Sequence, residues 1–187
     1  AQAVPDPREC LRIDGDRVKL SGGELDLGGI VKGWTADLAV ESLASECEGV
    51  FVNAGGDIRC AGNNGGGEGW DVRVEAPITG RTLWEGRVLT AVATSTSQKR
   101  RWRTAEGGEA HHLIDPRSGL PAESPFTQVT AWADEAWRAE CWAKAALIGG
   151  RPAVAAAQDA GIDLLVLDRE GKTAFVKASS KDLPEIS

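Results

Sequence analysis

Several features that define other classes of protein are missing from this 187-residue chain. No apolar run approaches the roughly 18–20 residues that span a membrane, so no transmembrane helix is expected. The four cysteines lie far apart without a CxxC pair, a spacing that disfavours a zinc site and indicates no disulfide framework. The net charge of −7 argues against non-specific binding of nucleic acid, although residues 99–103 form a local basic patch.

Methionine is also absent, so the chain contains no initiator residue. We therefore expect Ala1 to arise from processing, from the choice of expressed residues or from proteolysis. The cysteine usage slightly favours the cytoplasm over an exported or lipid-anchored location. The length and the apolar fraction of 42% are typical of one globular domain over residues 1–187.

The apolar pattern predicts alternating helices and strands. A hairpin over residues 9–20 turns at Asp14 and Gly15. A helix then runs to about Ser45, with Ile30, Trp34 and Leu38 as its core-facing stripe. Strands are predicted over residues 50–52, 58–61, 70–74, 83–93, 101–104 and 126–132, helices over 135–148 and 153–160, and a closing hairpin over 163–167 and 173–176.

The segment over residues 25–37, LDLGGIVKGWTAD, is the first candidate site. Gly28 and Gly29 permit a tight turn and a close approach of the backbone to a ligand. Lys32 lies beside the free N–H groups of a helix start, a combination suited to a phosphate. A plain junction between loop and helix, with Lys32 in solvent, explains the same residues.

Two polar segments that follow strands are further candidates. Asn53, Gly55, Gly56 and Asp57 offer amides and oxygens to a polar ligand, although a tight turn needs the same residue types. Residues 94–97, TSTS, lie just before arginines and suit a phosphate, although a polar turn by itself explains the same residues better.

Both histidines of the chain lie in HHLIDPRSGLP, residues 111–121. His112 and Asp115 are close enough to share a site, and a histidine near a carboxylate suits proton transfer at neutral pH. A structural pair in a turn is the alternative. Further along, Glu140 and Lys144 share one face of a predicted helix and are able to pair.

Taken in order, these motifs resemble the FAD:protein FMN transferase (ApbE-type) family. The family pattern runs DLGGIAKGYAVD, NxGGD, TSGxYER, HIIDPxTGxP and ADALATAL, and the resemblance extends from Gly23 to Gly150. Members carry a further N-terminal region, so the chain is similar to the C-terminal part of a longer protein. Loss of that region would expose apolar surface to a partner or to self-association into a homo-oligomer.

The resemblance implies an α+β fold with mixed or antiparallel sheets flanked by helices. It also implies a Mg²⁺-dependent reaction in which FAD is split, AMP leaves and FMN is joined to a Ser or Thr of an acceptor flavoprotein. His112 would be the general base, with Asp115 shaping its loop. The residues expected to bind FAD are Gly29, Lys32, Asp37, Asn53, Gly55, Gly56, Asp57, Thr94, Ser95 and His112.

The chain departs from the family pattern in two places. The Asp and Thr that the family uses for Mg²⁺ correspond to Glu140 and Lys144, and an ammonium cannot ligate a cation. One hypothesis is that Lys144 takes part of the ion's space and supplies its charge. A Glu140–Lys144 ion pair that merely disables the metal site is the alternative. In addition, Thr96 and Gln98 replace a glycine and an aromatic residue.

Three functions therefore stay open at this stage. The first is the transferase, and the second is an FAD pyrophosphatase in which water replaces the acceptor hydroxyl. The third is a non-catalytic protein that binds or carries FAD. The transferase is the leading hypothesis. The Glu140/Lys144 pair is the feature that separates the third function from the first two, because transfer without a cation at the pyrophosphate should be slow.

Overall fold

The computed structural model describes residues 6–22, 24–105 and 107–179, so Gly23 lies outside the described residues. The helices are α1 Pro7–Cys10, α2 Val31–Leu43, α3 Ala136–Gly149 and α4 Arg151–Asp159. The strands are β1 Leu11–Asp14, β2 Arg17–Leu20, β3 Gly49–Ala54, β4 Asp57–Gly62, β5 Trp70–Glu75, β6 Thr82–Val88, β7 Ala91–Thr96, β8 Arg101–Arg103, β9 Glu109–His111, β10 Ile114–Asp115, β11 Leu120–Pro121, β12 Phe126–Ala133, β13 Asp163–Asp168 and β14 Thr173–Val176.

A six-stranded sheet in the order β14-β13-β12-β7-β4-β3 forms the centre of the fold. Its ladders are antiparallel, and α3 packs across β7 and β12 while α4 packs on β13. The antiparallel sheet flanked by helices confirms the predicted α+β class. No described helix has the length and apolar character needed to cross a membrane.

The two faces of the sheet carry separate apolar cores because neighbouring strand residues point to opposite sides. Ala131 and Leu164 join the core beneath α3 and α4. Trp132 and Leu165, one residue further along each strand, join a second core beneath the β5–β6 hairpin. The central sheet thereby carries an apolar core on each face.

The prediction of one strand over residues 83–93 is wrong. The chain forms β6, turns at Leu89 and Thr90, and then forms β7 in a different sheet. The apolar pattern does not reveal this break because Val88 and Val92 are both buried in the same core. The hairpin over residues 163–176 forms as predicted. The first hairpin also forms, but it begins at Leu11 because residues 9 and 10 belong to α1, and its turn is Gly15-Asp16 rather than Asp14-Gly15, since Asp14 pairs with Arg17.

The predicted core face of α2 is also wrong. Trp34 and Leu38 are 53% and 43% exposed, whereas the buried face carries Gly33, Ala36 and Val40. Small residues are needed there because α2 packs closely on α3. A Cβ at Gly33 would lie 2.5 Å from the carbonyl oxygen of Ala136, a distance no real contact allows.

We expect Gly33→Ala to destabilise the protein by about 2 kcal/mol. Alanine favours a helix over glycine by about 1 kcal/mol, so helix propensity alone would stabilise the variant. The clash with the backbone of α3 opposes this gain, because two packed helices must separate to relieve it. Urea denaturation measures the difference. The exposed Thr35→Ala in the same helix should change the free energy of unfolding by less than about 0.5 kcal/mol. Equal stability of both variants would contradict the prediction.

Candidate active site

Four charged side chains meet where α2 begins beside α3. The ammonium of Lys32 pairs with the buried carboxylate of Asp57 and lies 3.6 Å from Oε1 of Glu140. The ammonium of Lys144 donates to the same Oε1 at 3.2 Å and to the carbonyl oxygen of Gly29 at 2.8 Å. Two cations and two carboxylates therefore form one connected cluster, which brings together four of the residues that the sequence singled out.

Burial and neighbouring charges act in opposite directions on the pKa of Asp57, and the net effect raises it. Desolvation raises the pKa of Asp57, whereas the hydrogen bond and the charge of Lys32 lower it. The neighbouring charge of Glu140 raises this pKa further, and the N–H of Thr94, 3.3 Å from Oδ1 of Asp57, lowers it. Through its contacts with Lys32 and with the N–H of Thr94, Asp57 links the start of α2 to strand β7 of the central sheet.

Helices α2 and α3 cap one another. Oε2 of Glu140, on α3, accepts the Gly33 N–H of the first turn of α2 at 2.9 Å. In return the carboxylate of Asp37, on α2, accepts the N–H groups of Ala136 at 2.8 Å and Trp137 at 3.0 Å. Neither helix has a side-chain cap from its own N-cap residue. Each helix start therefore depends on a carboxylate from the other helix.

This arrangement bears on two expectations, of which FAD binding by Asp37 stays a prediction. The N-terminus of α2 was expected to offer free N–H groups to a phosphate, but Glu140 already occupies the Gly33 N–H. Asp37 was expected to bind FAD, but its oxygens hold α3 and lie 3.1 Å from Nε of Arg59. We therefore assign Asp37 a structural role. A phosphate at Gly33 would have to displace the Glu140 carboxylate.

The segment between β3 and β4 is a two-residue hairpin turn. Gly55 and Gly56 have φ values of 70° and 103°, a conformation that strongly favours glycine in such turns. The side-chain oxygen of Asn53 accepts the Gly56 N–H at 2.7 Å. The turn therefore accounts for Asn53 and both glycines, whereas the side chain of Asp57 lies in the charge cluster.

Thr94 and Ser95 lie on β7, next to β12. The hydroxyl of Thr94 is 2.9 Å from that of Thr130, directly across the ladder, and its N–H points to Asp57. Ser95 is buried on the neighbouring position of the strand. The hydroxyl pair and the contact with Asp57 place Thr94 beside the charge cluster.

The histidine loop lies within electrostatic reach of the cluster, because the charge of Lys144 acts on His112. His112 is exposed, and partial desolvation together with the charges of Arg100, His111 and Lys144 lowers its pKa. A hydrogen bond with the backbone of Arg100, whose φ is 51°, raises this pKa but does not outweigh the other effects. The imidazole is therefore neutral at pH 7 and available to accept a proton.

Asp115 does not orient His112 through a hydrogen bond in the part of the chain that the structure describes. Its carboxylate accepts the N–H of Arg117 at 2.9 Å and pairs with the guanidinium of the same residue. This hydrogen bonding lowers the pKa of Asp115. Asp115 accordingly shapes its turn, and its expected catalytic contribution is limited to that role.

The cluster does not fit a magnesium ion. Mg²⁺ needs about six oxygen ligands at 2.0–2.1 Å, and the Lys144 ammonium is already bonded to the oxygens of Gly29 and Glu140. Among the described residues, no group of three or more His, Cys, Asp and Glu side chains is arranged to hold a metal. Glu140 alone is therefore no metal site while Lys144 stays in place.

A cleft of about 700 Å³ lies elsewhere, between α4 and the β13–β14 hairpin. Apolar atoms of Val154, Val166 and Val176 contribute to its lining, and none of the site residues named above does. The lining also includes the cations Arg151, Arg169 and Lys172, which lie among the carboxylates of Asp168 and Glu170. Because the cleft contains none of the residues in the candidate motifs, the charge cluster remains the candidate site.

Sequence reasoning did not find the roles of Arg59 and Gly33. Arg59 supports Asp37 and also donates to the carbonyl oxygen of Cys60 at 2.7 Å. Gly33 gives α3 its close approach to α2. The only sequence signal for Gly33 was its place in a helix interior, where glycine is unfavourable and needs a reason.

The sheet, the mutually capped helices and the cation cluster together define an α+β protein with one charged candidate site. The crystal structure of the ApbE protein of Thermotoga maritima matches with a TM-score of 0.80 and 29% identity, over 89% of this chain and 57% of that one. Apo flavinyl transferase ApbE of Pseudomonas stutzeri matches with a TM-score of 0.75 and 27% identity, over 91% and 55%.

The sequence profile of the ApbE family matches residues 3–166, and the chain belongs to this family. The FAD:protein FMN transferase of Vibrio cholerae is 29% identical over 181 residues, which cover 92% of this chain and 54% of that protein. The protein of the same name from Chlamydia trachomatis is 35% identical over 108 residues, 58% of this chain and 33% of that protein. The chain spans about half the length, or less, of these curated relatives.

Proposed function

We propose that this chain carries the FMN-transfer site of an FAD:protein FMN transferase. The observation that supports the proposal most is the position of a neutral, exposed His112 within the electrostatic reach of Lys144. An exposed base is accessible to a hydroxyl on another protein, and the nearby ammonium groups attract a pyrophosphate. Membership of the ApbE family and the names of its relatives agree with this function.

The reaction would proceed by one displacement at phosphorus. A Ser or Thr hydroxyl of the acceptor flavoprotein attacks the phosphorus of the FMN half of FAD, and its proton passes to a ring nitrogen of His112. The bond from this phosphorus to the bridging oxygen breaks, and AMP leaves with that oxygen. Lys32 and Lys144 would stabilise the charge that develops on the phosphate oxygens.

The family resemblance implies Mg²⁺ in this reaction. The oxygens of Gly29 and Glu140, which would face such an ion, bind the Lys144 ammonium instead. We therefore assign no step to a metal ion. The same observation favours a second candidate function, a non-catalytic FAD carrier whose altered cluster binds the pyrophosphate without cleaving it.

FAD titration of this chain, with and without Mg²⁺, followed by an assay of AMP release, tests the proposal. We expect saturable FAD binding, and release of AMP when an acceptor protein with a Ser or Thr target is added. Tight binding without AMP, with or without an acceptor, would favour the carrier. AMP release that is independent of any acceptor would identify a pyrophosphatase. No binding of FAD would contradict both the transferase and the carrier.

A further inference from the structure

Two hydrogen bonds hold the side chain of Lys144 in place. Its ammonium donates to the carbonyl oxygen of Gly29, just before α2, and to the carboxylate of Glu140 on α3. Gly29 provides the space for this, because a Cβ there would lie 3.3 Å from Nζ and 3.6 Å from Cδ of Lys144. The side chain is 24% exposed, so one side of the cation still faces solvent.

The oxygens around this ammonium are those a divalent ion would need. Glu140 is 1% exposed, and its second oxygen is fixed by the Gly33 N–H. Lys32 lies 3.6 Å from the oxygen that Lys144 also contacts, so the carboxylate is shared by two cations. An added metal ion would meet two positive charges and no free carboxylate oxygen in the described cluster.

We propose that the Lys144 ammonium is the permanent cation of this pyrophosphate site and makes ligand binding independent of divalent metal. The proposal rests on the proposed function only for the identity of the ligand as FAD. A built-in cation differs from a simple Glu140–Lys144 ion pair in what it does. The built-in cation must contribute to binding of the pyrophosphate as well as exclude the metal, whereas the ion pair only excludes the metal.

Metal binding is measured first, without any flavin. Mn²⁺ is titrated into the wild-type chain, Lys144→Asp and Lys144→Met, and free Mn²⁺ is followed by electron paramagnetic resonance. We expect one site in Lys144→Asp, where a second carboxylate joins Glu140, and none in the other two proteins at low-millimolar Mn²⁺. Lys172 is the matched control, because it pairs with Glu170 on the surface at 2.7 Å. Lys172→Asp should gain no site.

Three results of this titration would overturn the proposal. A wild-type site that Glu140→Gln abolishes would mean that metal enters despite Lys144. Equal binding by Lys144→Asp and Lys172→Asp would mean that any added carboxylate suffices. Absence of binding in a folded Lys144→Asp, with folding verified by circular dichroism, would mean that the ammonium does not stand at a cation position.

FAD affinity is measured second, in the presence of EDTA or of Mg²⁺. We expect the wild-type Kd to differ by less than about twofold between the two, and Lys144→Met to weaken binding by about tenfold or more, as for loss of a charge-assisted contact. An unchanged Kd in Lys144→Met would overturn the proposal in favour of a simple ion pair. If no protein binds FAD, the proposed function fails, whereas the Mn²⁺ titration still decides whether Lys144 occupies a cation position.

Discussion

Replacing His112 with alanine is expected to lower the rate of AMP release by about 100- to 10,000-fold, the usual contribution of a general base. The imidazole is neutral at pH 7 because desolvation and the charges of Arg100, His111 and Lys144 lower its pKa below the usual 6.5. A neutral ring accepts the acceptor's proton without first losing its own. Steady-state assay of AMP at saturating FAD measures the loss.

His111→Ala is the matched control for this variant. The ring of His111 contacts the carbonyl oxygen of Ala122 at 3.2 Å and accepts the N–H of Leu113 at 3.3 Å, so it stabilises the loop. We expect His111→Ala to lower the thermal midpoint more than His112→Ala and to slow AMP release less than tenfold. If the two variants lost the same factor in the rate of AMP release, His112 would not be the general base.

The pH dependence of the reaction follows from the same lowered pKa. In the wild-type protein, AMP release should fall only at a pH below 6.5, where His112 gains a proton. Lys144→Met removes one of the charges that lower this pKa, so the acidic limb should move to higher pH. The unfolded chain binds this proton more strongly than the folded chain, so His112 lowers the free energy of unfolding as the pH falls through 6.5.

The second large effect is expected from Asp37→Ala, which should lower the free energy of unfolding by about 3–5 kcal/mol. The carboxylate is buried, accepts two N–H groups of α3 and lies beside Arg59, whose side chain is 20% exposed. Its removal leaves the Ala136 N–H without its acceptor and Arg59 without its carboxylate. Urea denaturation monitored by circular dichroism measures the change.

Two further variants make the Asp37 prediction specific. Asp37→Asn keeps one acceptor oxygen and should lose an intermediate amount of stability. Asp134→Ala removes an exposed carboxylate that pairs with Arg138 at 3.2 Å, and should cost less than about 1 kcal/mol. The structural role is refuted if Asp37→Ala and Asp134→Ala are equally stable. If Asp37→Asn were as stable as the wild-type protein but bound FAD more weakly, Asp37 would belong to the FAD-binding site.

Local patterns predicted much of the fold. Hairpin turns are encoded by a few neighbouring residues, so both hairpins formed, although the first turn lies at residues 15–16, one position later than predicted. The stripe of Ile30, Trp34 and Leu38 was misassigned because periodicity locates an apolar face without indicating what covers it. Close packing on α3 selected the small residues on the other side of α2.

The site was less predictable than the fold. Sequence order placed Lys32, Asp57 and the Glu140/Lys144 pair in three separate motifs, and only the resemblance joined them. The bonds that organise them connect residues about 100 positions apart, as between Gly33 and Glu140 or Asp37 and Ala136. No local propensity encodes such contacts, because they exist only after α2 and α3 have packed.

Mutual capping of α2 and α3 also has a consequence for local unfolding. Asp37 and Glu140 lie in the second turns of α2 and α3. If the first two turns of either helix open, the carboxylate that caps the other helix moves with its own backbone, so the two starts should open as one cooperative unit. Native-state hydrogen exchange should then give similar opening free energies for the amides of Gly33, Ala136 and Trp137. A phosphate that displaces the Glu140 carboxylate from the Gly33 N–H would require the same opening. Ligand binding and fraying of the two helix starts would therefore be coupled in one equilibrium.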